Sequence, residues 1–229
     1  MKDIIFIQIP EKFKTEINGF TIDPSIPLPV EKSGAIEKGS LEDLTWEKII
    51  AAMLKILAFN RDFSHIDYYR NFISAVKPEL STQLIDAGVE KARGNDFSTA
   101  EEIFLAVEGL EPDNLINLIN MALLYEHRGM SASEQDAEEK KFLDKAFETY
   151  KKALNIDPSS ADLHFHSAGF FLNRQNYEKA KNHFSAFLEL SEGNDEYIEK
   201  QEKARAILKE IDNSSLLDSK FREAYDMIQ

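Results

Sequence analysis
The chain has 229 residues, 43% of them hydrophobic and 30% charged, a balance that belongs to a globular chain and excludes a disordered one. Its formal net charge of −14 sets it against nucleic acid and anionic membrane surfaces, and toward basic partners. It contains no cysteine, which excludes disulfides, thiolate metal sites and lipidated cysteine anchors and makes a reducing cytoplasm the expected setting. No run approaches the ~20 apolar residues that a membrane span needs. The opening MKDIIFIQIP has no small-residue cleavage site and is not expected to be a signal peptide.

Residues 1–40 read apart from the rest. Ile4 to Ile9 is β-branched and aromatic, and Pro10 closes it, which predicts a strand. Thr15-Glu16-Ile17 and Phe20-Thr21-Ile22 flank Asn18-Gly19, a pair that takes positive φ readily and therefore predicts a tight hairpin. A lone hairpin is marginal in water, so this one is expected to lean on a third strand or on helices. Asp23 to Val30 holds three prolines and predicts an extended, polyproline-like path with free backbone groups. Glu31 to Ser40, charged and glycine-dotted, predicts a loop or linker.

Helices are expected from Thr45 onward. Leu41, Leu44 and Trp46 lead into an amphipathic run of Ile49, Ile50, Met53, Leu54 and Leu57, and Trp46 is expected to plug the open end of this first layer. A second pair spans Ser81 to Gly109, with Ser81 as cap and Gly94-Asn95 as the turn. A third opens at Asp113-Asn114, runs from Leu115 to Arg128, and resumes at Leu143 after a polar stretch rich in alanine and glutamate. That stretch predicts an extension of the two helices or a solvated loop. A fourth pair spans Ala161 to Asn194. Residues 195–229 are expected to form two capping helices, 195–211 and 214–228. The first has Tyr197, Ile198, Ala204, Ile207 and Leu208 on one face, and the second has Leu217, Phe221, Ala224, Tyr225 and Ile228.

These pairs share a period. In LDKAFETYKKALNIDP, residues 143–158, Leu143, Ala146, Tyr150, Ala153 and Leu154 fall on one helical face and Asp157-Pro158 stops the helix. The same offsets recur at Phe97, Ala100, Phe104, Val107 and Pro112, and at Tyr177, Ala180, Phe184 and Phe187. A fourth, degraded copy holds Phe63, Ile66, Arg70, Ile73 and Pro78. Pro78 and Pro112 are 34 residues apart, and Pro112 and Pro158 are 46, a further 12.

In these residues the chain resembles the tetratricopeptide repeat (TPR) family, whose unit is an antiparallel helix pair of about 34 residues. Gly88, Ala122 and Ala168 match its small residue on the first helix. Ala100/Phe104, Ala146/Tyr150 and Ala180/Phe184 match its small–aromatic step on the second. The first unit departs from the pattern, with Leu54, Ile66 and Arg70 in place of small, small and aromatic. The resemblance implies an all-α fold: an α-solenoid of about four TPR-like helix pairs over 41–194, between a small N-terminal β element at 1–40 and C-terminal capping helices at 195–229.

Little in the sequence points to chemistry. His164 and His166, two apart, diverge by about 200° on a helix and cannot chelate together. His183 lies on the paired helix without an evident third ligand, where zinc wants three or four. No glycine-rich phosphate loop, G-x-S-x-G elbow or H-E-x-x-H occurs. Neither an enzyme nor a cofactor is expected.

The informative surplus is apolar. Leu118, Met121, Ala122 and Tyr125 suffice to pack the 115–128 helix, yet Ile116, Ile119 and Leu123 form a second stripe, so that helix is expected to be covered on both sides. The family resemblance places these residues, with Ile85, Val89, Phe165 and Leu172, in a concave groove lined by successive first helices. Asn120, His127 and Arg93 would supply its polar edge, with Glu126 and Asn173. The family's clamp for a terminal carboxylate uses lysine, asparagine and arginine, but Ala51, Ile85, Ile119 and Phe165 stand at several of those places, so that specificity does not carry over. Two occupants of the groove remain open: a partner's helix or extended peptide, or the chain's own Ile22–Val30 segment or C-terminal helix. The expected function is a non-catalytic protein-interaction module, with an export or assembly chaperone for an apolar client segment as the alternative.

Overall fold
The computed structural model describes residues 4–10, 16–32, 45–131 and 137–226, the stretch 215–226 for its backbone. The expected loop at 33–40, the lead-in residues Leu41 and Leu44 and the middle of the polar stretch after Ser131 lie outside the described residues. The chain divides into two compact units, residues 1–128 and 129–229.

Unit 1 opens with strands β1 (Ile4–Ile7), β2 (Glu16–Ile17), β3 (Phe20–Thr21) and β4 (Leu28–Glu31). The hairpin forms as the sequence predicts: β2 pairs antiparallel with β3, and Asn18 and Gly19 sit at φ 48° and 81°. The proline-rich stretch corrects the expectation. Rather than running free, Leu28–Glu31 pairs antiparallel with β1, Ile4 opposite Glu31 and Ile7 opposite Leu28. A two-stranded ribbon is all edge, so Pro29 can face Phe6 without costing a ladder bond. Burial of Leu28, Pro29 and Val30 supplies the driving force.

Helices α1 (Trp46–Phe59) and α2 (Ile66–Val76) receive this ribbon. Ile22, Leu28 and Val30 join Ile50, Met53, Leu57, Tyr69, Phe72 and Ile73 in one core. Tyr69 donates its hydroxyl to the Pro27 carbonyl at 2.7 Å, and the Asp23 amide donates to the Tyr68 hydroxyl at 3.0 Å. The hairpin leans on α2 through Phe20, whose ring lies 5.2 Å from Tyr68 and 5.8 Å from Phe72, and through Asn18 Nδ2, which donates to the Ala75 carbonyl. Trp46 sets its ring 5.5 Å from Phe72 but stays 39% exposed, a cover for this aromatic cluster instead of a buried plug.

The second pair is α3 (Leu80–Arg93) and α4 (Phe97–Leu110). A β-carbon on Gly88 would lie 2.5 Å from Phe104 Cε1, so the small residue of α3 is where the aromatic of α4 crosses. Asn95 turns the chain at φ 61°, and Asp96 caps α4 by accepting from the Thr99 amide at 3.3 Å. Ser81 is not the cap of α3. Glu79 holds that position without a side-chain bond, and the Ser81 hydroxyl donates to Glu111 at 2.5 Å. The irregular first pair has a physical cause: α1 also packs closely on α4, where a β-carbon on Gly109 would lie 2.3 Å from the Leu57 carbonyl oxygen. Arg70, in place of the repeat aromatic, donates from Nε to the Gly109 carbonyl at 2.7 Å.

Helix α5 (Leu115–Ser131) starts in unit 1, where the Asn114 side chain caps it by accepting from the Asn117 amide. Unit 2 holds α6 (Ala137–Ile156), α7 (Ala161–Asn173), α8 (Tyr177–Leu190), a 3-10 turn at Asp195–Tyr197 and α9 (Ile198–Asp226). The described ends of the polar stretch thus extend α5 and α6. Ala146, Ala153, Ala168 and Ala180 are fully buried, and Ala168, Phe184, Phe187 and Ala204 form the core of α7, α8 and α9. The two expected C-terminal helices are a single one. Asn213 and Ser214 sit inside α9 because each costs a helix only tenths of a kcal/mol, unlike glycine or proline. Within the expected stripe, Ala204 is buried, but Ile198 is 48% exposed.

Candidate functional site
On α5 the packing stripe is buried, but the second stripe, which the sequence expected to be covered as well, stays partly exposed. Leu118, Met121, Ala122 and Tyr125 are all 4% exposed or less, whereas Ile116 is 65% and Leu123 36% exposed, with Ile119 half-buried. Bonds to α4 hold this face in place. Asn117 Nδ2 donates to the Phe104 carbonyl at 3.0 Å, Tyr125 donates to Glu101 at 3.1 Å, and Arg128 forms an ion pair with the same carboxylate. Burial, and then the charge of Glu101, push the Tyr125 phenol well above its usual range, so it stays a hydrogen-bond donor.

Beside the exposed stripe lies a cleft of ≈ 310 Å³ formed by α3, α4 and α5. Val89 and Arg93 come from α3, and Asn120, Leu123 and His127 from α5. Each set is spaced three or four residues apart, one helical face in both cases. The buried rings and chains of Phe104 and Leu124 form its floor. The imidazole of His127 lies 5.0 Å from the Phe97 ring. Arg93 is exposed and enters no ion pair among the described residues. Asn120 Nδ2 donates to the Ile116 carbonyl at 3.0 Å.

Of the twelve residues read as a groove and its polar edge, Val89, Arg93, Asn120, Leu123 and His127 meet in this cleft, while Glu126 is buried and Asn173 ends α7 in unit 2. Ile116 and Ile119 continue its apolar edge along α5, and Ile85 is 8% exposed within α3. Phe165 and Leu172 belong to unit 2, half-buried against the core of α7, α8 and α9, with the Phe165 ring 5.0 Å from Phe187. Sequence reasoning missed Phe97, Ala92, Asn95, Phe104 and Leu124 as lining residues. Phe97 opens a repeat copy, and only the packing of α4 between α3 and α5 turns it to this side.

The N-terminal segment is not what lies on this stripe. Ile22, Leu28 and Val30 are committed to the core of α1 and α2. Among the described residues no group of three or more His, Cys, Asp and Glu could hold a metal ion. His164 and His183 do meet, Nδ1 to Nδ1 at 3.1 Å. No helix among them is long and apolar enough to cross a membrane.

No family model matches the sequence, nor does any curated protein. Solved structures do match in fold. The type III secretion translocator chaperone SycD of Yersinia enterocolitica has a TM-score of 0.51 at 14% identity, over 60% of this chain and 94% of that one. PcrH in complex with the chaperone binding region of PopD has a TM-score of 0.51 at 16% identity, over 61% and 96%. The first TPR domain of the human RPAP3 protein has a TM-score of 0.44 at 19% identity, over 60% and 98%. Identities this low speak of architecture, and the architecture is a TPR-like set of helix pairs with a small N-terminal β element.

Proposed function
We propose that the chain is a non-catalytic protein-interaction module that binds a partner's helix or extended peptide through the apolar cleft of α3, α4 and α5. The observation that carries this reading is the second stripe of α5, where Ile116 and Leu123 stay exposed next to a ready-made cleft while the N-terminal segment is buried elsewhere. Val89, Leu123 and the Phe97 ring receive an apolar anchor side chain. Arg93, Asn120 and His127 hold the polar backbone or side chains at its edge, and Ile116 and Ile119 extend the contact. A partner segment that contacts such a face through a few apolar anchors concentrates its binding energy there.

An export or assembly chaperone is the second reading, favoured by the fold that the chain shares with SycD and PcrH, the latter seen with a client's binding region. Both readings place the chain in the cytoplasm. Leu123→Asp tests the cleft. The variant is expected to fold as well as wild type and to lose the partner that co-purifies from the native cell, because an unpaired carboxylate is costly only once desolvated. A variant that retains that partner would remove the cleft from consideration. A client insoluble on its own and recovered at one-to-one stoichiometry separates the chaperone from a plain interaction module.

A further inference from the structure
Unit 2 has a cleft of its own, ≈ 340 Å³, between α6, α7 and α8. It lies among residues that the repeat pattern does not assign to any groove, and three features give it a chemistry. Its walls are aromatic: the Phe147 and Phe171 rings stand 6.2 Å apart edge to face, and Phe171 stacks on His183 at 5.4 Å. Its mouth is cationic. Lys179 Nζ lies 5.1 Å from the centre of the Phe171 ring and 5.8 Å from that of Phe147, and it enters no ion pair among the described residues. Among the described residues, Lys151 beside it holds only an exposed contact with Glu148 at 3.3 Å, of the kind that contributes little. Its floor includes Ser167, which is 0% exposed and whose hydroxyl has no hydrogen-bond partner among the described residues.

Each feature alone has a plain structural account. Aromatic rings fill cores, lysines lie along rings, and a repeat tolerates a small residue at a helix crossing. Their coincidence does not. A buried hydroxyl left without a partner costs the fold free energy, and a lysine kept on two ring faces without a carboxylate lacks its strongest form of interaction. Both shortfalls are met by the same kind of ligand.

We propose that this cleft is a second binding site, for an acidic peptide segment that presents an aromatic or aliphatic side chain beside a carboxylate. The apolar side chain takes the place on the Phe147 and Phe171 ring faces that Lys179 leaves by a change of rotamer. Lys179 and Lys151 then take the carboxylate, and a peptide carbonyl gives the Ser167 hydroxyl the acceptor it lacks. The chain's net charge of −14 acts against any acidic ligand at a distance, but salt screens it beyond about 10 Å at 0.1 M, whereas the two ammonium groups act at contact.

The test is an NMR amide titration of the full chain with an end-blocked pentapeptide of two aspartates and two glutamates around a central phenylalanine. Shifts are expected at Lys151, Ser167, Phe171 and Lys179, and the analogue with asparagine and glutamine is expected to bind at least ten-fold more weakly. Lys151→Glu with Lys179→Glu, both exposed positions, should abolish the shifts. Ser167→Ala removes an unpartnered hydroxyl, so it should fold at least as well as wild type yet bind several-fold more weakly. Leu123→Asp should leave this titration unchanged, which keeps it independent of the unit 1 cleft. The proposal is overturned if millimolar peptide shifts none of these amides, if the neutral analogue or a lysine-rich peptide binds as tightly, or if the charge reversal or Ser167→Ala changes nothing.

Discussion

The same substitution at two helical glycines should move stability in opposite directions. Gly109 lies in α4 where it meets α1, and a β-carbon there would stand 2.3 Å from the Leu57 carbonyl oxygen and 2.5 Å from the carbonyl carbon. Those atoms are helix backbone, so the clash cannot be relieved by a rotamer. Relief requires α4 to move off α1, which also strains the 2.7 Å bond from Arg70 Nε to the Gly109 carbonyl. Gly169 in α7 has nothing among the described residues within 4 Å of the same built atom. Alanine in a helix gains roughly 0.5–1 kcal/mol over glycine. At Gly169 that gain stands alone, so Gly169→Ala should stabilise by about that amount. At Gly109 it is set against overpacking of about 1–3 kcal/mol, and the gain is smaller one residue from the helix end. Gly109→Ala should therefore destabilise by about 1–2 kcal/mol. Urea unfolding followed by circular dichroism reads both, each compared with wild type at constant slope. Equal stability of Gly109→Ala and wild type, or shifts of the same sign in both variants, would refute the assigned contact between α1 and α4.

Two further perturbations follow from unit cores. Burial first, then the charges of His164 and Lys179, hold His183 down to about 4 from its ordinary 6.5. The folded state therefore favours the neutral ring. That contribution is complete above pH ~6.5 and is lost as pH falls toward 4, where the unfolded chain binds the proton first. Wild type should accordingly lose stability relative to His183→Gln across this window, and a constant difference between the two in urea midpoints from pH 7 to 4 would contradict the burial of the ring. Removing residues 1–32 strips Ile22, Leu28 and Val30 from the α1–α2 core. At roughly 1.5–3 kcal/mol for each buried aliphatic side chain, several kcal/mol are lost. The truncated chain should bind a hydrophobic dye and lose the cooperative melting of unit 1, and an unchanged melt would show that the ribbon is peripheral.

What could be read without coordinates was local or periodic. Asn18-Gly19 specifies its turn through its own backbone preference, and the Ala–aromatic steps at Ala100/Phe104, Ala146/Tyr150 and Ala180/Phe184 specify a helix face through 3.6-residue spacing. All six of those side chains are at most 2% exposed. On α5, Leu123 was legible for the same reason, as part of a stripe with more apolar residues than its own pair could bury, whereas Val89, Arg93, Asn120 and His127 were placed by the family resemblance. Tertiary packing decided the rest. Proline content argued for a free, extended 23–30 segment, but the energy of burying Leu28 and Val30 on α1 outweighed that local preference and paired the segment with a strand more than 20 residues away. Ser81 is a good cap in isolation, yet Glu111 sits within reach of its hydroxyl in the folded unit. The break expected near Asn213 needed a helix breaker that is absent. No periodicity reveals that Gly109 admits the backbone of α1, that Phe97 turns into the cleft, or that Ser167 and Lys179 line one cleft. Those are contacts between elements, and a one-dimensional pattern records only which faces are apolar, not which of them meet.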